Sequence, residues 1–187
     1  EISCSLVGSE MCIRDRRKHS YNRALRSTLY TLLVVAAVAV LIATMVMPIL
    51  QITGTSMTPV VGQGEITMVV RGSNPQRGDI IAFYYNNKVL IKRVIGLPGE
   101  WVNIDENGNV YINGELLDEP YITDRALGDC SITLPYQVPD GRYFVLGDHR
   151  STSRDSRSTL VGPVSEEQIM GRVTLRIWPL NRFGFLQ

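Results

Sequence analysis

Lysine and histidine are both scarce in this 187-residue chain, and cysteine is scattered. Of 19 Lys+Arg only Lys18, Lys88 and Lys92 are lysines, leaving 16 arginines, and His19 and His149 are the only histidines. Cys4, Cys12 and Cys130 fall at no metal-ligand spacing such as C-x2-C, so a His/Cys zinc cage is excluded. One cysteine beyond residue 26 cannot pair within that stretch, which excludes a disulfide framework there. Neither sign of charge dominates: 19 basic against 18 acidic residues, net +1, gives no overall signature of a nucleic-acid binder. No repeat and no low-complexity segment appears, which excludes solenoid and collagenous chains.

The basic charge is local. Arg14, Arg16, Arg17, Lys18, Arg23 and Arg26 lie within 13 residues with one acid, Asp15, whereas beyond residue 26 there are 13 basic and 15 acidic residues. Residues 1–15 read unlike the rest and are taken as a translated artefact or a disordered tail, and residues 16–28 as a cytoplasmic basic segment. Leu29–Met47 then runs 19 residues without a charge. At 1.5 Å per residue that covers about 28 Å, close to the roughly 30 Å hydrocarbon core. Pro48 favours a helix end there. Ala37-Val38-Ala39 imitates a cleavage site, but the apolar run continues too far past it for a removable leader. Residues 29–48 therefore read as one retained transmembrane anchor in the lipid of the plasma membrane. The flanking basic patch sets the N-terminus in the cytoplasm and residues 49–187 outside.

The exported part alternates in short runs, predicting strands at Ile66–Val70, Ile80–Tyr85, Val89–Ile95, Trp101–Ile104, Val110–Ile112, Tyr143–Leu146 and Arg172–Trp178. Asn86-Asn87 and Asn107-Gly108 suit hairpin turns, and a capping box at Ser165/Gln168 predicts a short helix over Glu166–Met170. The fold class is mainly β, a β-barrel or β-sheet domain behind one N-terminal helix.

A serine hydroxyl needs a neighbour to take its proton. No histidine is usable outside the membrane except His149, and a lysine serves only if burial keeps its amine neutral. Strand alternation puts Lys92 on one face with Leu90 and Val94 and turns Arg93 to the other, whereas Lys88 abuts the turn and is solvated. A strand-edge lysine that snorkels to water is the plainer reading of Lys92 from this pattern alone. Cys130 with His149 suggests a thiol transpeptidase, but Leu127-Gly128-Asp129-Cys130-Ser131 looks like a surface loop.

Four segments carry more. Gly54-Thr55-Ser56-Met57-Thr58-Pro59, Arg77-Gly78-Asp79-Ile80, Lys92-Arg93-Val94-Ile95-Gly96-Leu97-Pro98-Gly99-Glu100 and Gly147-Asp148-His149-Arg150-Ser151-Thr152-Ser153-Arg154-Asp155-Ser156-Arg157 follow one another behind a single span. In order and spacing they resemble the bacterial type I signal peptidases, of the single-span Gram-positive type. The resemblance implies a membrane-anchored serine endopeptidase that removes signal peptides from exported precursors after small residues at −1 and −3. It implies Ser56 as nucleophile, Lys92 as general base and Ser153 as the hydroxyl that orients the lysine. Asp155 and Arg157 are then structural support, and Ile52, Met57, Leu90 and Ile91 are candidate pocket walls. No cofactor, metal or nucleic acid is implied; the partners are precursor proteins and membrane lipid, and the enzyme is expected to be monomeric. Gly54 leaves a second oxyanion donor unassigned, and His149, where many members have Asn, is not expected to be catalytic. Ser151, Ser156 and Ser158 read as turn hydroxyls that satisfy backbone groups.

Overall fold

The computed structural model describes the backbone of residues 3–72 and 74–186, and the side chains of that span at residue 21 and from residue 23 onward. Residues 1 and 2 of the expected tail, and the side chains of Arg14, Arg16, Arg17 and Lys18, lie outside the described ones. The chain forms two compact units that divide at Met45/Val46.

Among the described residues the first unit is helical throughout, part of a helix α1 over Ser3–Val46. Its stretch Arg23–Val46 contains an 18-residue window with a mean hydropathy of 2.6 and is exposed throughout, as suits a segment solvated by lipid. The helix stops two residues before Pro48, whose ring disfavours helical backbone in the residue before it.

The second unit is antiparallel β. Its strands are β1 (Ile49–Gln51), β2 (Ile66–Val70), β3 (Ile80–Tyr85), β4 (Lys88–Gly96), β5 (Trp101–Ile104), β6 (Val110–Ile112), β7 (Glu115–Leu116), β8 (Tyr136–Gln137), β9 (Arg142–Leu146), β10 (Val164–Ser165), β11 (Ile169–Trp178) and β12 (Gly184–Phe185). One sheet has the order β1-β2-β11-β3-β4-β9-β10 with β12 beside β11, and the other β7-β6-β5-β8. The expected helix over Glu166–Met170 is corrected. Only one 3-10 turn, Glu166–Gln168, forms, and Ile169 and Met170 are drawn into β11, where Ile169 pairs with Phe83. The reach-back of Gln168 is present, its side chain accepting from the Ser165 N–H at 2.9 Å.

Alternation decides what each strand buries. β2 turns Thr67 and Val69 inward, and β5 turns Val102 and Ile104 inward. Three apolar clusters result. Phe144, Leu146 and Ile95 tie the small sheet to the large one; Ile52, Met57, Val61 and Ile80 pack beneath the loop after β1; Ile81, Phe83, Val94 and Val145 fill the far side. Each such side chain contributes roughly 1.5–3 kcal/mol by leaving water. The β3–β4 hairpin closes on Asn86 and Asn87 at φ 43° and 60°, the left-handed pair a two-residue turn demands.

Candidate active site

Ser56 sits in a tight turn that follows β1. Thr58 N–H donates to Thr55 O at 3.1 Å and Val61 N–H to Met57 O at 2.8 Å, while Met57, 3% exposed, anchors the turn in the core. The Ser56 carbonyl is held from the other side by the His149 N–H at 3.1 Å. β4 brings Lys92 to the same place: its Nζ lies 2.6 Å from Ser56 Oγ, within hydrogen-bond distance. The two residues are 36 positions apart in sequence.

Lys92 is 3% exposed, and its cross-strand neighbour is Ile81. Burial lowers its pKa from 10.5 to about 8; Asp155 opposes that shift, Arg157 adds to it, and Asp148 opposes it. None of the three charges is hydrogen-bonded to the amine among the described residues, so desolvation wins. Arg93, the next residue, faces the other way. Its guanidinium donates to Asp148 through Nε and Nη2 at 2.9 and 2.8 Å and to Gly78 O at 2.7 Å, and lies 3.8 Å above the Tyr121 ring. A cation in the middle of an apolar strand demands such partners, a signal the sequence carries but that does not say where they lie.

The segment Gly147–Arg157 wraps this pair. The Arg157 guanidinium donates twice to Asp155, both at 2.8 Å, and Asp155 accepts the Gly147 N–H at 3.0 Å. Arg150 pairs with the buried Glu119, which residue spacing did not foretell. Gly147 has to be glycine: a Cβ there would lie 2.6 Å from Ser56 O and overlap Ser153. Ser153 is buried beside it, yet its Oγ has no hydrogen-bond partner among the described residues. The hydrogen bond expected from Ser153 to the lysine is thus not made, the amine being engaged with Ser56.

Ser156 and Ser158 act as the turn reading had it, whereas the Ser151 hydroxyl serves a carboxylate instead of a backbone group. Ser156 Oγ accepts the Val145 N–H and donates to Gly162 O, both at 2.9 Å. Ser151 Oγ bonds Asp124 at 2.5 Å, and Ser158 Oγ accepts the Leu160 N–H at 3.4 Å. Cys130 is a free, half-buried thiol, and His149 Nδ1 contacts Thr152 Oγ1 at 2.5 Å.

A cleft of about 340 Å³ opens beside Ser56 and Lys92. Ile52, Met57, Leu90 and Ile91 all line it. Both of its walls are strand edges. β4 pairs with β3 over Lys88–Arg93 but with β9 only from Arg93 onward, and β1 pairs with β2 alone among the described residues. Because Lys88, Leu90 and Lys92 hydrogen-bond toward β3, the backbone groups of Val89 and Ile91 face the open side. No group of three or more metal-ligating side chains occurs among the described residues.

Residues 25–178 match the family described as "Signal peptidase, peptidase S26". The chain is 36% identical over 155 residues to signal peptidase IB of Staphylococcus aureus, covering 72% of this chain and 79% of that protein. It is 40% identical over 121 residues to a probable signal peptidase I-2 of a Synechocystis species, covering 60% of this chain and 53% of that protein. A signal peptidase I structure from Enterococcus faecalis matches at 37% identity and a TM-score of 0.47, over 55% of this chain and 98% of that one. The class is that of membrane-anchored hydrolases of peptide bonds. Within it, the chain belongs to the signal peptidase family, peptidase S26, in its type I branch.

Proposed function

We propose that the chain removes signal peptides from exported precursors by a serine–lysine mechanism, cutting after small residues at −1 and −3. The observation that carries this reading is the 2.6 Å approach of the buried Lys92 amine to Ser56 Oγ. With the pKa lowered to about 8, about half of the amine is neutral at pH 8, against well under 1% for a free lysine. The neutral amine takes the hydroxyl proton as Oγ attacks the scissile carbonyl, then returns it to the leaving amine. Ser56 N–H serves as one donor to the developing oxyanion. Ser153 is assigned to orient the lysine, and Asp155 and Arg157 hold the segment that clamps Ser56.

Precursors bind by strand addition. The open edges of β1 and β4 offer main-chain donors and acceptors, while Ile52, Met57, Leu90 and Ile91 wall shallow apolar pockets suited to small side chains. The basic segment before the apolar stretch keeps the N-terminus cytoplasmic, so cleavage occurs on the outer side. Ser56 is eight residues past Pro48, at most about 26–29 Å of chain from it. The test is cleavage of a peptide with Ala-x-Ala before the scissile bond: the wild-type chain cuts it, and Ser56→Ala does not. Normal turnover by Ser56→Ala would overturn the nucleophile assignment.

A further inference from the structure

Two of the three lysines in a chain that uses 16 arginines lie four residues apart on β4, and only one of them is explained by the chemistry. Lys88 and Lys92 are also the only charged residues among the twelve that line the cleft, and no carboxylate lines it among the described residues. Their situations differ. Lys92 is buried against Ser56, whereas Lys88 is exposed at the turn end of the strand and makes no ion pair among the described residues.

Strand geometry fixes their relation. Side chains at Lys92, Leu90 and Lys88 share one face, and four residues of strand span roughly 13 Å. A substrate strand laid along the open edge of β4 advances at the same pitch and alternates in the same way. With its −1 carbonyl at Ser56 and its −1 side chain level with Lys92, the −3 side chain falls level with Leu90. The next position on that face, −5, falls beside the Lys88 ammonium.

We propose that Lys88 sorts precursors by charge at position −5, favouring an acidic side chain there and disfavouring a basic one. This rests on the peptidase reading above and on strand addition along β4. The pair is solvent-exposed, so each charge contributes modestly and salt weakens it. A Glu-for-Lys exchange at −5 is expected to change kcat/KM roughly three- to tenfold at low ionic strength.

The experiment uses the full chain in neutral detergent, without anionic lipid, and three peptides alike except for Glu, Gln or Lys at −5. Wild-type enzyme is expected to rank them Glu, Gln, Lys, with the spread shrinking as salt is added. Lys88→Gln levels the ranking and Lys88→Glu reverses it; ratios taken within one enzyme are insensitive to any loss of folded protein. Equal rates for the three peptides in wild type, or an unchanged order in Lys88→Glu, overturn the assignment. If the Gln peptide is cut by wild type and not by Ser56→Ala, such a result removes Lys88 alone. If no peptide is cut, the peptidase reading falls and this inference falls with it.

Discussion

An amine buried to 3% exposure makes Lys92 available as a base and at the same time weakens the fold. The unfolded chain keeps the lysine proton to its ordinary pKa of 10.5, whereas the native site releases it near 8. Below pH 8 the native state therefore carries a destabilisation of about 3 kcal/mol, which shrinks as pH rises from 8 toward 10.5 and then vanishes. Lys92→Met, of similar length and without charge, is expected to be inactive yet to melt at a higher temperature than wild type at pH 6–7. The gain should fade above pH 8; thermal scans across pH check this, and a lower Tm at pH 6 would contradict it. A second residue-scale prediction concerns Gly147. Its alanine variant drives a methyl group against Ser56 O and should lower kcat roughly a hundredfold, because misplacing a nucleophile by about 1 Å is that costly. A kcat for Gly147→Ala within twofold of wild type would mean that the Ser56 carbonyl is not held where the structure has it. Ser153→Ala removes a buried hydroxyl without a partner, so its kinetic defect should be smaller than that of Lys92→Ala.

At the scale of elements, ion pairs rather than apolar contacts lock the Gly147–Arg157 segment onto the sheet. Arg93–Asp148 ties it to β4, Arg150–Glu119 to the connector before β8, and Arg157–Asp155 closes it on itself. Removing one partner leaves a bare buried charge, so Arg93→Met is expected to destabilise by about 3–5 kcal/mol, and removing Asp148 as well should recover part of that. Denaturant titration of the single and double variants reads the difference. Trp101–Ile104 was legible because period-two burial leaves its mark in sequence, and Ile80–Tyr85, whose first four residues are all buried, because a short apolar run bounded by turn residues marks a strand covered on both faces. β7, β8, β10 and β12 have two residues each, too few for any period; pairing with neighbours makes them strands. Glu166–Met170 carried a helix start signal but no length to propagate it, and β11 captured its end. The approach of Lys92 to Ser56 follows from how β4 lies beside the turn after β1, which local pattern cannot express; only the four ordered segments pointed to it. Arg93 announced a need for a counter-charge, while Glu119, in an irregular connector, gave no sign of its partner.

The whole chain joins an apolar helix to a β domain whose proposed nucleophile, Ser56, follows within ten residues of the helix end at Val46. So short a connection limits how far the serine can lie from the helix end. Orientation is the testable part. External protease acting on spheroplasts is expected to degrade the β domain without lysis, and digestion only after lysis would place the domain on the cytoplasmic side. The central claim is that a lysine, made neutral by burial, activates Ser56. It is tested most directly by kcat/KM for an Ala-x-Ala peptide between pH 5.5 and 10, measured for wild type and for Lys92→Arg. The acidic limb should rise with an apparent pKa near 8, since kcat/KM reports groups of the free enzyme, and Lys92→Arg should be inactive at every pH. A profile flat from pH 5.5 to 9, or measurable cleavage by Lys92→Arg, would contradict the account.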